Sequence, residues 1–472
     1  MSKKKILLLS DDIRIPSGIG TMSKKLVLGT LDKYDWVQIG GAVKHPEEGK
    51  VFDLSKEVQE KEGIPDAYVK VYPVSGYGNE QILRNVIHNE GGVDGILHFT
   101  DPRFWGWLYN MEHELRLTMP LMYLNIWDDL PFPHWNENAY ESCDLLMAIS
   151  KQTYNINKHV CKNKPRIEGV DLTYVPHGIN EQEFYPVAKT DPAFIEFKSN
   201  LTQKGQSPQF TLLFNSRNIQ RKRVADLVLG YTKFCETLPV EEAKKCLLIL
   251  HTDPVDQHGT DLPELVNKLC PFPVAFSAQK LDPIQLNYLY NCADVMCNPS
   301  SAEGFGLSHM EGMMSGLPTI ATVVGGLQDQ MGFTVVGEDG DRDITTDDFT
   351  AEVPSNSTGR ISKQHGEWTY PLWPQLNLQG SPLTPYIYDS RTSIDQIQNG
   401  IQYWYSRSSD EREAAGLKGR NWAIENGFTD DAMCKASVES IDRCFKNFKP
   451  RDRYILLDTK EQPTKHKRGI LL

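Results

Sequence analysis

The sequence contains no run approaching the roughly 18 apolar residues that a membrane-spanning helix needs. Basic residues do precede an apolar stretch at the start, Lys3 to Leu9. That stretch is too short for the apolar region of a secretory signal and turns acidic at Asp11, so it is expected to be the first strand of a sheet. The nine cysteines include no C-x-x-C pair, which leaves reduced, mostly buried thiols of a cytosolic chain as the reading. No cluster has convincing metal-ligand spacing. An excess of positive charge is also missing: the net charge is −12, which excludes a general polyanion binder and confines any nucleic-acid contact to local basic patches. There is no internal repeat and no amphipathic basic helix suited to docking on a membrane.

What is present is a chain of 472 residues, too long for one ordinary domain, with strand-like apolar runs alternating with helical patterns. The organising stretch runs from Asn298 to Ile320. Asp294 to Asn298 reads as the end of a buried strand, and Pro299, Ser300 and Gly304 then break the backbone. Leu307, Met310, Met313 and Met314 fall at helical intervals. Gly316 and Pro318 stop the helix. Ser308 is expected to be its N-cap, with Glu311 in capping-box spacing. Glu303 to Leu307 therefore lies at a strand's carboxyl end and feeds a helix N-terminus, a place suited to an anionic ligand. Two readings of this spacing stand: Glu311 as a cap beside a glycine turn, or a pair of carboxylates that hold a ligand.

Glu303 and Glu311 are separated by seven residues, and the stretch resembles the E-x7-E signature of retaining glycosyltransferases of the GT-B fold, close to the family-4 type. The resemblance covers most of the chain and is strongest from 210 to 326. It implies an α/β fold of two doubly wound Rossmann-like domains facing a cleft. It also implies a nucleoside-diphosphate sugar as donor, a UDP-sugar in first place, with no cofactor and no metal. By the same resemblance Glu311 holds the ribose hydroxyls, while Glu303 and the backbone at Phe305, Gly306 and Leu307 hold the sugar. The family's Gly-Arg and Lys-Gly pairs correspond to Ser216-Arg217 and Lys222-Arg223. Both cations are kept and both glycines lost, so Arg217 and Lys222 are expected to meet the charge of the leaving diphosphate.

In the first half, Lys5 to Ser10 reads as a buried parallel strand. Gly18 and Gly20 then match the family's loop near donor phosphate and acceptor; a tight packing turn is the competing reading. Asp101 to Trp107 puts Asp101, Arg103 and aromatic residues at another strand's end, readable as a binding surface or as core. Where the family usually carries a sugar-contacting His, this chain has Trp127, followed by Asp128. Tryptophan cannot accept a hydrogen bond and fills the space of a hydroxymethyl group, which points to a smaller sugar, a pentose such as arabinose. Phe276 to Gln279 are candidates for contact with the nucleobase.

The expected organisation is an acceptor-side domain over residues 1–190, then a donor domain over 191–428 with a long insertion near 331–393. A crossover helix and tail complete the chain over 429–472. The insertion's aromatic residues suggest acceptor contact or a dimer interface. The opening Ser10 to Thr21 resembles glycosyltransferases of large tailed bacteriophages. That resemblance implies a cytoplasmic enzyme acting on a hydroxymethylated pyrimidine in DNA, with Arg103, Lys465, Lys467 and Arg468 as phosphate contacts. A cell-envelope or polysaccharide glycosyltransferase is the alternative, and a nucleotide-sugar-binding protein without activity is the non-enzyme one.

Overall fold

A computed structural model describes residues 3–42, 44–161, 170–201, 208–337 and 340–450. The basic tail from Arg451 to Leu472, with Lys465, Lys467 and Arg468, lies outside the described residues.

The first strand, β1 (Lys4–Asp11), buries Ile6 to Leu9 completely, as an apolar run covered on both faces should. It sits near the middle of an eight-stranded sheet with β2 (Tyr34–Ala42), β3 (Phe52–Asp53), β4 (Val69–Ser75), β5 (Gly95–Phe99), β6 (Leu121–Asn125), β7 (Leu145–Ala148) and β8 (Asp171–Tyr174). The spatial order is β3-β4-β2-β1-β5-β6-β7-β8, parallel throughout except for β3. The order reverses beside β1, so the loops after β1 and β5 open on a crevice at the carboxyl edge. Ser17 caps the helix Gly18–Leu28 there, its hydroxyl accepting from the Gly20 N–H at 2.9 Å.

A second sheet is built from β9 (Phe210–Asn215), β10 (Cys246–His251), β11 (Val274–Ser277), β12 (Val295–Asn298) and β13 (Thr319–Thr322). The chain then makes a small hairpin, β14 (Thr334–Gly337) and β15 (Gly340–Asp343), before returning as β16 (Thr369–Leu372). The order is β11-β10-β9-β12-β13-β16, all parallel. The stretch read as insertion thus supplies the sheet's sixth strand, and Trp368-to-Trp373 is sheet edge rather than an appended surface. Beyond β16 the chain does make an appendage: the hairpin β17 (Gln375–Ser381) and β18 (Thr384–Arg391) leaves the second sheet and reaches the first domain. The Tyr388 N–H donates to the Leu130 carbonyl at 2.6 Å, and the Tyr386 ring lies 4.5 Å from that of Trp135.

The two halves meet through further pairs. The Lys151 N–H donates to Asp329 at 2.8 Å, and Gln328 donates to Gln152 at 2.9 Å. The last described helix, Asp430–Asn447, crosses back to the first domain. There Lys25 binds Asp430 at 2.9 Å, and the Tyr34 hydroxyl donates to Asp442 at 2.7 Å. All nine cysteines are free and buried.

Candidate functional site

A cavity of about 960 Å³ lies between the carboxyl edges of the two sheets. It gathers Gly18, Asp101, Arg103, Trp127, Asp128, Arg217, Lys222, Glu303, Phe305, Gly306, Leu307 and Glu311, which lie on elements far apart in sequence.

At its centre Glu303 is buried and ion-paired with Lys222, while Arg221 lies 3.6 Å from the same carboxylate. Burial pushes the Glu303 carboxyl up, but Lys222 and Arg221 outweigh it and hold the group below the usual range. Burial pulls Lys222 down against the pull of Glu303. Arg221 also donates to the Ala302 carbonyl at 2.6 Å, which fixes it across the loop that presents Glu303. The backbone turns into the next helix at Arg223, which adopts φ +55°, a left-handed conformation that costs a residue other than glycine about 1–2 kcal/mol. Arg223, which stands where the resembled pattern carries glycine, thus takes a backbone conformation that favours glycine. The Arg223 guanidinium pairs with Asp389 on β18, and Arg391 makes a two-pronged pair with Asp226 at 2.9 and 2.7 Å. Arg217 is exposed, lines the cavity and pairs with Asp256 at 2.9 Å.

The helix after Glu303 runs Leu307–Met314 and is capped by Gly306 at φ +94°, not by Ser308. A Cβ on Gly306 would stand 2.6 Å from the Leu327 side chain, so the position demands glycine on two counts. Glu311 is no capping residue either: its carboxylate accepts from the Tyr290 hydroxyl at 2.6 Å, and that hydroxyl in turn accepts from the Asn215 amide at 2.7 Å. Burial raises the Glu311 carboxyl, and the Tyr290 hydrogen bond only partly opposes it.

On the first domain Gly18 faces the partner wall, where an added Cβ would stand 3.4 Å from Leu307. Gly20 does not reach the cavity. It packs beneath the loop, where a Cβ would meet the Ile15 carbonyl at 2.6 Å, so the tight-turn reading is the right one for it. Asp101 and Arg103 bind each other, Arg103 Nε standing 2.9 Å from Asp101 Oδ1, and the Arg103 guanidinium lies 5.1 Å from the Trp127 ring. Trp105 belongs to the core, fully buried, and Phe104 is the exposed aromatic of that loop. Trp127 is nearly buried, its indole N–H donating to the Asp129 carbonyl at 2.9 Å. Burial raises the carboxyls of Asp128 and Asp129, which sit side by side within the field of Arg221. Phe276 to Gln279 do not line the cavity.

Sequence reasoning passes over Arg221, Asp129, His177 and Thr384, all of which line the cavity, while Ile387 falls in the aromatic stretch of the insertion expected to make acceptor contact or a dimer interface. Arg221 and Asp129 stand next to residues that carry a clear signal, Lys222 and Asp128. His177 lies against Phe305 at 5.2 Å, and burial lowers it to about 3, a neutral ring at physiological pH. The hairpin's aromatic residues are a signal, but its strand pairing is not visible in the sequence. Among the described residues no group of three or more His, Cys, Asp or Glu could hold a metal ion. Among them, too, no helix is long and apolar enough to cross a membrane.

Two Rossmann-like α/β domains facing a cleft define the GT-B architecture. Residues 256–347 match the family model described as glycosyl transferases group 1. A curated relative, mannosylfructose-phosphate synthase of Agrobacterium fabrum, is 27% identical over 192 residues. That alignment covers 40% of this chain and 39% of the relative's length. Among solved structures, sucrose-phosphate synthase from Thermosynechococcus elongatus superposes with a TM-score of 0.64 at 16% identity, covering 94% of this chain and all of that one. Anabaena HepE in complex with UDP and glucose gives 0.61 at 15% identity, over 93% and 100% of the two chains. The E. coli trehalose-6-phosphate structure bound with UDP-2-fluoro glucose gives 0.61 at 12%, over 95% and 100%.

Proposed function

We propose that the protein transfers a sugar from a nucleoside-diphosphate sugar to a hydroxyl acceptor with retention at the anomeric carbon. The observation that carries the reading is the meeting of Glu303, Glu311, Arg221 and Lys222 in one cavity at the carboxyl ends of two parallel sheets. The buried Lys222 and its neighbour Arg221 stand where the diphosphate's growing charge needs fixed cations, with Arg217 at the outer end. Leu307 and Ser308 bring the helix start to the same wall. In this reading Glu311, oriented by Tyr290, accepts from the ribose hydroxyls. Glu303, kept ionised by two cations, accepts from hydroxyls of the sugar. The acceptor oxygen then attacks the anomeric carbon from the face the diphosphate leaves, and the departing phosphate oxygen takes the acceptor's proton.

Uridine is the base of choice, because HepE was solved with UDP and the E. coli structure holds UDP-2-fluoro glucose. The nearly buried Trp127 supports a pentose over a hexose. For the acceptor, Arg103 is engaged by Asp101, while Arg217, Arg221 and Lys222 are committed to the donor diphosphate in this reading. With Asp128 and Asp129 beside them, a neutral polyhydroxyl acceptor suits this wall better than the phosphates of hydroxymethylated DNA. The neighbours named as sucrose-phosphate and mannosylfructose-phosphate synthases lend a carbohydrate acceptor further support.

The experiment is a panel of UDP-hexoses and UDP-pentoses incubated with neutral sugars, a polysaccharide and 5-hydroxymethylcytosine DNA, read by mass spectrometry. Transfer to a sugar from a UDP-pentose is expected, and Trp127→His should shift preference toward the hexose donor. A heavier nucleoside from the DNA arm would move the acceptor to hydroxymethylated pyrimidines. Nucleotide binding with neither transfer nor donor hydrolysis would leave only a nucleotide-sugar-binding protein.

A further inference from the structure

Behind the cleft lies a second cavity of about 270 Å³, which shares Asp128, Asp129 and Ala302 with the first. Hairpin β17–β18 lines both. Successive residues of a strand point to opposite faces, and on β18 Ile387 lines the large cavity while Tyr388 lines the small one. The remaining wall of the small cavity comes from both domains. Gln152 belongs to the first domain, Ser301 to the loop just before Glu303, and Ser357, Thr358 and Ser390 to the region after β13. Hydroxyls and an amide therefore dominate its polar lining. Its ionisable groups are Asp128, Asp129, Glu352 and Arg360, and burial raises the first two carboxyls toward their neutral forms, so no excess of positive charge is there to hold a phosphate.

We propose that this second cavity is an acceptor subsite, which takes the distal ring of a neutral oligosaccharide whose reacting ring occupies the cleft. The placement rests on the shared wall. Asp128 and Asp129 stand between the two compartments and can accept from hydroxyls on either side, and Ala302 adjoins the Glu303 that faces the donor sugar. The volume holds about one pyranose ring and falls just below the roughly 300–1,000 Å³ range of ligand pockets, as a subsite beside a larger cleft can. A large polyanion cannot enter it. The hairpin is thereby an acceptor-selecting element, and its tethers Arg223–Asp389 and Arg391–Asp226 tie that selection to the loop carrying Lys222.

The subsite rests on the glycosyl-transfer reading, so the test measures the two separately. Thr358 is exposed at the cavity rim and has no part in the proposed transfer machinery. With the UDP-sugar that the donor panel selects, donor hydrolysis and transfer to glucose and to maltose are compared in the wild type, Thr358→Trp and Thr358→Ala. The wild type should favour maltose over glucose by about tenfold or more in kcat/KM, within the range one pocket supplies. Thr358→Trp, which plugs the cavity, should abolish that preference with donor hydrolysis unchanged, and Thr358→Ala should keep it. Equal use of the two sugars by the wild type overturns the subsite, as does a preference that survives the plug. Hydrolysis without transfer to either sugar overturns it as well. Absence of hydrolysis in the wild type would instead strike the glycosyl-transfer reading itself.

Discussion

The wall that carries Lys222, Glu303 and Glu311 and the hairpin opposite it are built on different principles. Each residue of the first stands in the loop between a buried parallel strand and its helix, or in that helix, so the sheet anchors both ends of what carries it. The hairpin has no sheet to lie on. Every residue of β17 is exposed, Leu378 65% so, and β18 is held by ion pairs to Arg223 and Asp226 and by the Tyr388–Leu130 backbone bond. Chemistry common to a fold can sit on the rigid wall, while selection particular to one chain can sit on an appendage that changes without disturbing the sheets.

If that contrast is sound, the largest effect of a single substitution falls on the rigid wall. Lys222→Ala should lower kcat by about 10²–10³, the range for removing one stabiliser of transition-state charge. Steady-state kinetics checks it, and full activity would take Lys222 out of the diphosphate site. Glu311→Gln should weaken nucleoside-diphosphate binding by roughly 1.5–3 kcal/mol, read by calorimetry. An unchanged affinity would leave Glu311 as a partner of Tyr290 only.

A smaller effect is expected from pH. Burial lowers His177 from 6.5 to about 3, so below pH 6.5 the unfolded chain binds a proton that the folded one does not. Stability should therefore fall as pH drops through that window, by about 1.4 kcal/mol per unit and about 2 kcal/mol at pH 5. His177→Gln should flatten the slope of the denaturation midpoint between pH 7 and pH 5, and an unaltered slope would show the ring already charged or accessible. Smallest of all, Asp389→Asn should cost about 1 kcal/mol or less, as a pair near the surface does. It should speed amide exchange along β18 while leaving UDP affinity intact. Loss of UDP affinity in this variant would erase the division between wall and hairpin.

Legibility in the sequence divides along the same line. The strands flanking the cleft announce themselves as apolar runs, and the Glu303–Glu311 spacing survives because a strand, a turn and a helix each have a fixed length. The cap is misassigned from sequence because a left-handed Gly306 looks like any turn glycine until its φ is known. Strand β16 is hidden by Pro371, which removes a backbone donor inside it and is tolerated only because β16 is the edge of its sheet. The hairpin escapes notice since its stability comes from partners more than 100 residues away, such as Asp226 and Leu130. Arg221 is legible as a charge but not as a neighbour of Glu303, because that depends on how the loop after β9 turns.

The returning helix Asp430–Asn447 gives the molecule an order of assembly. Met433, Cys434, Ile441 and Cys444 complete an apolar cluster that Leu26 and Val27 of the first helix help to form. The two sides of this contact are far apart in the chain, 405 residues from Lys25 to Asp430. Roughly 250 residues separate β8 from the helix, and at about 5–20 residues per second the first domain waits about 10–50 s for its cover. Through that interval the apolar face around Leu26 and Val27 stands open to solvent, with water in place of Asp442 at the Tyr34 hydroxyl. The first domain thus stays exposed to aggregation until the Asp430–Asn447 segment has been made.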